Sequence, residues 1–585
     1  MLVYGDTTRT GAPGEAIARL AAALREAAAA APGIQRHGAL AAALVEAGEL
    51  LQGLADADFL ARGRDAPSAT QDAAAGLLTQ VAGAVWASWQ GGFAIDVPSP
   101  DILRGLDAVP LPAAITTRWA EGFAFYALYP EGYALAAMRS GLPAATRVIG
   151  IRSIGAPLAA MVAAGLGAEA PATVRPVGHP FRRELALADA LTARLVAGDP
   201  PAFAVADEGP GLSGSSLGAV ADALEAMGVP EARLALFPSH GGPPGPRASE
   251  RHRARWDRLA RHVAPFADIV LAPRQGLAAW AADLIGPAEA PLEEVSGGGW
   301  RRHHYAAEAD WPPVNMGQER RKFLMRAGGQ VWLLKFAGLG REAARKLARA
   351  RTLHAAGFTP EPAGLRHGFL VERWVGEARP LDRGAIEPDR LAERVGCYLG
   401  FRARTFGREA GHGASLADLV AMARHNAAEA LGSDAARALD RWTPDRVASL
   451  ARRERPVEID GRLHPWEWLV LPDGRLLKCD ALDHHAGHDL VGCRDIAWDV
   501  AGAAEELALP PAALARLTAV IARAGGRAVD PHLLALLTPC YLAFQLGAHT
   551  MAAASASDPG EAARLGSAVA RYAARLAHAL AADPA

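Results

Sequence analysis

The spacing of hydrophobic positions changes character twice along the 585 residues. Up to about residue 110, apolar side chains recur every three to four positions. In 16–31, Ile17, Leu20 and Leu24 fall on one face with charges between them, and Pro32-Gly33 stops the run. The stretches 37–56 and 72–89 repeat the pattern, which predicts three helices. From 111 to 298, short β-rich runs at 147–151, 173–177, 202–206 and 233–237 alternate with helical stretches at 156–166 and 217–227. That alternation predicts a mostly parallel sheet covered by helices, with ligands at the carboxyl ends of its strands. Pro- and Gly-rich stretches at 241–246 and 297–299 follow. From 299, β-type runs at 322–326 and 330–336 precede a helix with Ala343, Leu347, Ala350 and Leu353 on one face. Beyond about 385 the chain reads as helical, broken by a β-like passage near 457–479. No repeat of 20–50 residues is visible. The pattern predicts a multidomain chain: an α-helical N-terminal region (1–110), an α/β parallel-sheet segment (111–298) and an α+β C-terminal segment (299–585).

Composition narrows the function classes. Apolar residues at 51% and charged residues at 21% suit packed globular domains. Lys+Arg 61 against Asp+Glu 63 argues against a nucleic-acid partner and leaves small-molecule substrates as the expected ligands. No run reaches 18 consecutive apolar residues, which argues against a membrane span. The start MLVYGDTTRTGAPGE has neither the basic nor the apolar region of a secretory signal. Four cysteines, Cys397, Cys479, Cys493 and Cys540, are too few and too scattered for a disulfide framework, so a cytoplasmic setting is expected. A homo-oligomer stays open.

The most informative stretch is FAVADEGPGLSGSSL, 203–217. An apolar strand delivers adjacent carboxylates, Asp207 and Glu208, to a loop of small residues that opens a helix. Small residues let the backbone approach a phosphate closely. Free N–H groups at the helix start and the hydroxyls of Ser213, Ser215 and Ser216 can bind its oxygens. The carboxylates suit sugar hydroxyls, so the sum is a ribose 5-phosphate site. The constellation resembles the phosphoribosyl pyrophosphate (PRPP) motif of type I phosphoribosyltransferases, with Gly211, Leu212, Ser213, Gly214, Ser215 and Ser216 as its loop. The loop is one residue longer than the usual form and carries Ser where Thr is common. IGIRSIG, 149–155, resembles that family's pyrophosphate loop, with Arg152, Ser153 and Gly155. TVRPVGHPFRREL, 173–185, resembles its mobile loop, with Arg175, His179, Arg182 and Arg183. The resemblance implies Mg²⁺-dependent phosphoribosyl transfer from PRPP with release of pyrophosphate. Asp207 or Glu208 would hold the ribose, Arg152 would neutralise the pyrophosphate, and electrostatic positioning would carry the rate. The aromatic stretch 119–133 serves either a planar acceptor or packing against the N-terminal helices. Asp6, Arg9 and Gln52 are polar candidates with no assigned role.

In QVWLLKF, 330–336, Lys335 sits inside an apolar β run, which requires a partner. The following helix carries Glu342, Arg345 and Lys346. With LHAAGFTPEP (353–362) and FLVERWVG (369–376), this resembles the small lobe of kinase-like folds such as aminoglycoside and choline kinases. The resemblance implies a site for ATP and Mg²⁺, with Lys335 and Glu342 at the nucleotide and Asp480 and Asp483 at the metal. The catalytic loop is altered: in DGRLHPWEWLV, Arg462 falls at the base position and Glu467 at the Asn position. Asp495 and Asp499 resemble the helix start that supports this loop. A guanidinium cannot accept a proton, so Asp460, Glu467 or Asp483 would replace the base, or phosphoryl transfer is lost. Residues 479–495 gather Cys479, Asp480, Asp483, His484, His485, His488, Asp489 and Cys493, in a spacing that matches no standard zinc pattern. The expectation is a phosphoribosyltransferase carrying an atypical or inactive nucleotide-binding kinase-like segment. The alternatives are a non-enzymatic PRPP or nucleotide sensor and a bifunctional phosphoribosyltransferase and kinase.

Overall fold

The computed structural model describes residues 8–95, 97–272, 274–408, 413–487 and 491–582. Asp6, His488 and Asp489 lie outside them.

The three N-terminal helices are Pro13–Ala29, Ile34–Arg62 and Ala69–Gln90. The first starts earlier than its apolar pattern because Pro13 fills the first turn, where no N–H partner is needed. The second runs on to Arg62 and ends at Gly63, in the left-handed conformation at φ 68°. Its middle is buried on every side, and Gly48 and Gly53 let Pro157 and Ile115 pack directly on its backbone. Thr8–Gly11 pairs antiparallel with Ile115–Arg118, tying the N-terminus to the start of the next segment. Ile34–Arg62 and Pro531–Ser555 have the length and composition to cross a membrane, and most of each is packed inside this fold.

The central segment holds a five-stranded parallel sheet in the order Ala172–Val174, Arg147–Ile151, Phe203–Ala206, Leu234–Phe237, Ala260–Arg261. Gly155–Leu166 and Ser215–Ala226 are among its covering helices. The strand expected over 173–177 is interrupted. The chain leaves the sheet after Val174, and Pro176–His179 pairs instead with Arg182–Leu185 as a separate hairpin. Pro176 has no N–H to offer the ladder.

A five-stranded antiparallel sheet follows, in the order Glu293–Glu294, Lys322–Ala327, Gln330–Phe336, Phe369–Arg373, Pro362–Arg366, with the helix Arg341–Ala355. Its first strand precedes residue 299; two residues carry no period to read. Beyond it, helices dominate, including Pro388–Thr405, Ala497–Glu506, Pro531–Ser555 and Pro559–Ala581. The β-like passage resolves into Pro456–Val457, Trp468–Val470 and Leu476–Lys478. One core runs continuously from the N-terminal helices (Leu44, Leu78) through the covered face of the parallel sheet (Met161, Phe237) to the antiparallel sheet (Phe336, Phe369). A second core, with Tyr398, Trp468 and Trp498, lies under the C-terminal helices.

Candidate functional site

Two clefts collect part of the residues singled out by the sequence. The first lies at the carboxyl end of the buried strand Phe203–Ala206. Asp207 Oδ1 accepts from the Glu208 backbone N–H at 2.8 Å, Glu208 Oε2 accepts from Gly122 N–H at 3.2 Å, and Tyr133 Oη donates to the Asp207 carbonyl at 2.9 Å. Burial pushes the Asp207 carboxyl up to about 7. Burial, then the negative charges of Asp207 and Glu121, pushes Glu208 up to about 8. The pair therefore holds a proton near neutrality. Beside it opens a cleft of about 690 Å³ whose walls include Tyr126, Tyr133, Ser239, His240 and His262. Within the aromatic stretch 119–133, Tyr126 and Tyr133 line the cleft, while Phe123 packs in the core shared with the N-terminal helices.

Gly211 and Gly214 take left-handed φ values of 59° and 63°, which the tight loop before Ser215–Ala226 needs. The hairpin lies over this loop. Ser215 Oγ donates to the Pro180 carbonyl at 2.9 Å, and Ser213 Oγ donates to Ser215 Oγ at 2.9 Å. Ser216 is half-buried and Leu212 is exposed. His179 and Arg182 stand opposite each other at the exposed hairpin tip. Ser153 lies just before the helix Gly155–Leu166.

Three expectations for this site are corrected. Arg152 does not face the cleft; its buried guanidinium binds Asp56 at 2.9 Å, the Thr173 carbonyl at 3.1 Å, and Asp65. Arg175 is likewise held, its guanidinium by Asp56 and its backbone N–H by Asp65 at 2.7 Å. Gly155 is a packing glycine: a Cβ there would strike the Ala206 carbonyl. Asp56 and Asp65 were missed because 96 and 87 residues separate them from Arg152.

The second cleft separates the antiparallel sheet from the C-terminal helices; Gln318, Lys335, Glu372, Arg462, Glu467 and Asp480 are among its lining residues. Lys335 pairs with Asp480, a residue in the left-handed region at φ 51°. Lys346 pairs with Asp483 at 2.8 Å. Burial opposes all four charges. The pairing outweighs it for Asp480 and Asp483, held well below the usual carboxylate range, and for Lys335, raised above its ordinary value; it does not for Lys346, which is lowered. Burial pushes Glu372 up to about 7.

Asp499 accepts from the backbone N–H groups of Asp460 and Gly461, each at 2.8 Å, and so holds the altered loop. Asp495 caps the same helix start through Ala497 N–H at 3.0 Å. Asp460 is buried, bonded to Tyr398 Oη and 3.4 Å from Lys478 Nζ, which lies equally far from Glu467. Arg462 donates its backbone N–H to Asp460 at 3.1 Å and its guanidinium to Gln318.

Glu342 is the correction here. It pairs with Arg345 at 2.6 Å and Arg9 at 3.4 Å, and the helix instead turns Lys346 and Arg349 into the protein. In the 479–495 stretch, the described donors that converge are Asp480, Asp483 and His484, within 4.8 Å of one another. Neither Cys479 nor Cys493 joins them, and burial pushes these thiols up to about 12 and about 11. Two carboxylates and few softer donors fit a hard ion such as Mg²⁺.

No family profile matches the chain, and no curated protein sequence matches it significantly. Solved structures similar over part of it include choline kinase LicA from Streptococcus pneumoniae, at 15% identity and TM-score 0.31, covering 43% of this chain and 89% of that one. Spectinomycin phosphotransferase APH(9)-Ia, in complex with ADP and spectinomycin, is similar at 12% identity and TM-score 0.34, covering 52% of this chain and 97% of that one. A glucosamine kinase is similar at 20% identity and TM-score 0.29, covering 44% of this chain and 72% of that one.

Proposed function

We propose that the protein is a transferase with two phosphate-handling centres. In residues 111–298, Asp207, Glu208 and the loop 211–216 bind the ribose 5-phosphate part of PRPP. In residues 299–585, Lys335, Asp480, Asp483, Arg462 and Glu467 bind a nucleotide such as ATP. Residues 1–110 brace the first centre through Asp56 and Asp65. The observation that carries this reading is the acid pair at the end of a parallel strand, immediately before a glycine-turned loop and a helix start.

The chemistry follows from the positions. The carboxylates accept hydrogen bonds from ribose hydroxyls, and the loop amides with the Ser216 hydroxyl donate to the 5-phosphate. With Arg152 and Arg175 held by aspartates, Arg182 would meet a pyrophosphate from the hairpin tip, with His179 opposite it. Mg²⁺ would supply further neutralisation of the leaving group. The tyrosine and histidine wall beside Glu208 fits a planar acceptor.

In the second centre Asp480 and Asp483 would hold Mg²⁺. Arg462 stays protonated and cannot take a hydroxyl proton, a service worth about 10²–10⁴-fold. Phosphoryl transfer there is therefore slow or absent, which favours nucleotide sensing as the second reading. Arg462→Asp is expected to weaken ATP binding without raising turnover; faster transfer in that variant overturns this assignment.

Thermal shift and calorimetry with PRPP, ribose 5-phosphate, ATP and GTP, each with and without Mg²⁺, test both centres. A ligand at 100 times its Kd stabilises by about 2.7 kcal/mol. No response to PRPP or ribose 5-phosphate rejects the first centre, and no response to ATP or GTP rejects the second.

A further inference from the structure

We propose that His37, Glu131 and His367 bind one divalent first-row transition-metal ion, of the zinc class, at the junction of the N-terminal helices, the central segment and the antiparallel sheet. His37 lies on Ile34–Arg62, Glu131 in the first turn of Pro130–Ser140, and His367 in the turn joining Pro362–Arg366 to Phe369–Arg373. All three side chains are fully buried. Their ligating atoms lie within 4.8 Å of one another: His37 Nε2 is 2.9 Å and His367 Nε2 is 3.2 Å from Glu131 Oε1.

Hydrogen bonding alone leaves this cluster unsatisfied. Glu131 Oε2 and both ring nitrogens of His367 have no hydrogen-bond partner, although His367 Nε2 is close to the carboxylate. Buried polar atoms without partners are costly. An ion among the three groups would engage His37 Nε2, His367 Nε2 and both Glu131 oxygens, leaving only His367 Nδ1 unpaired. With Zn–N and Zn–O bonds of about 2.0–2.1 Å, tetrahedral donors stand about 3.3 Å apart. The observed 2.9 and 3.2 Å separations need adjustments of a few tenths of an ångström.

The surroundings suit a structural ion. Ser88 Oγ lies 3.1 Å from His37 Nδ1 and fixes that ring, so that Nε2 faces the carboxylate. Tyr129 Oη donates to the His367 carbonyl at 2.8 Å and orients the turn. His367 is held at φ 41°, a conformation a non-glycine residue keeps only where its surroundings impose it. Phe93, Trp89, Tyr129 and Trp280 pack on the two imidazoles and exclude water. A closed, dry site of two imidazoles and a two-oxygen carboxylate matches an ion with no strong geometric demand.

The test uses the full chain expressed in medium replete with zinc, iron, cobalt, nickel and manganese. Metal is measured by plasma mass spectrometry after chelator dialysis. About one equivalent of a single transition metal per chain is expected. Glu131→Gln and His367→Asn are expected to lose it. Because these core variants can fail to fold, wild type grown on cobalt is also examined by X-ray absorption, where nitrogen and oxygen ligands without sulfur are expected. Folded wild type with no bound metal overturns the proposal. So does sulfur in the coordination shell, or unchanged metal content in a folded Glu131→Gln variant.

Discussion

Burial disfavours the charged forms of both Asp207 and Glu208, and for Glu208 the neighbouring Asp207 charge adds to that cost. Their ionisation is displaced upward, to about 7 and about 8. The native state therefore keeps protons that the unfolded chain releases from the ordinary carboxylate range upward. Stability from these groups is present at acid pH and is lost as pH rises through about 8, the reverse of the usual carboxylate case. Asp207→Asn with Glu208→Gln is expected to flatten this slope, raising stability at pH 8 by about 1–4 kcal/mol, while removing the thermal shift caused by PRPP. A variant that keeps the pH slope contradicts the raised ionisation of this pair, and one that keeps the PRPP shift contradicts the ribose assignment. These residues were legible because the strand, acids, loop and helix start follow one another within 15 positions, 203–217. Arg152, Arg175 and Glu342 were misread for the opposite reason. Each matches a local motif, but the two arginines meet charges brought from elsewhere, Asp56 and Asp65, and Glu342 is taken by Arg345 on its own helix and by the distant Arg9. A motif states what a side chain can bind and not which tertiary neighbour reaches it first.

At the scale of elements, the hairpin Pro176–His179 and Arg182–Leu185 and the loop 209–214 act on each other. The Pro180 carbonyl accepts from Ser215, so an acceptor oxygen stands where a phosphate oxygen would be received. Under the proposed ribose 5-phosphate assignment, a phosphorylated ligand would displace that contact. Binding of ribose 5-phosphate with the hairpin released is expected to raise amide hydrogen exchange in 176–185 and lower it in 211–216. Ser215→Ala is expected to raise exchange in the hairpin without ligand, since one hydrogen bond of this kind contributes about 0.5–1.5 kcal/mol. Unaltered hairpin exchange on saturation with ligand would show that the loop receives nothing at this position. The hairpin was only half visible in the sequence. Its basic residues were recognised, but 173–177 read as one strand, and the break follows from Pro176, which cannot continue a parallel ladder. Buried strands were readable nearly to the residue, the helix Ile34–Arg62 runs well past its 37–56 pattern, and Glu293–Glu294 is too short to carry a pattern.

The whole molecule differs most from a reading in three consecutive parts. The antiparallel sheet shares its core with the N-terminal helices and the parallel sheet, so Phe323, Phe336 and Phe369 face apolar partners from upstream segments. Polar contacts reinforce this union. Leu339 donates its N–H to the Phe123 carbonyl at 2.8 Å, and Arg341 at the start of its helix pairs with Glu46 and Glu49 on Ile34–Arg62. Glu46 and Glu49 are 6% and 7% exposed; Arg341 pairs with both, Arg19 also bonds Glu46 at 3.1 Å, and for Glu49 the paired cation is Arg341. Removing one partner of such a group leaves buried charge uncompensated, at a cost of about 3–5 kcal/mol. Arg341→Ala is therefore expected to lower the urea midpoint by an amount in that range. Far-ultraviolet dichroism and tryptophan fluorescence should report one coincident transition through residues 8–373, because the shared core gives the upstream segments no separate state. A fragment of residues 299–585 would expose the apolar face that the upstream helices cover and is expected to aggregate. Cooperative folding of that fragment, or an Arg341→Ala midpoint equal to wild type, would show that the C-terminal sheet is stable without the helices packed on it. The two centres would then be independent sites on one chain rather than parts of a continuous core.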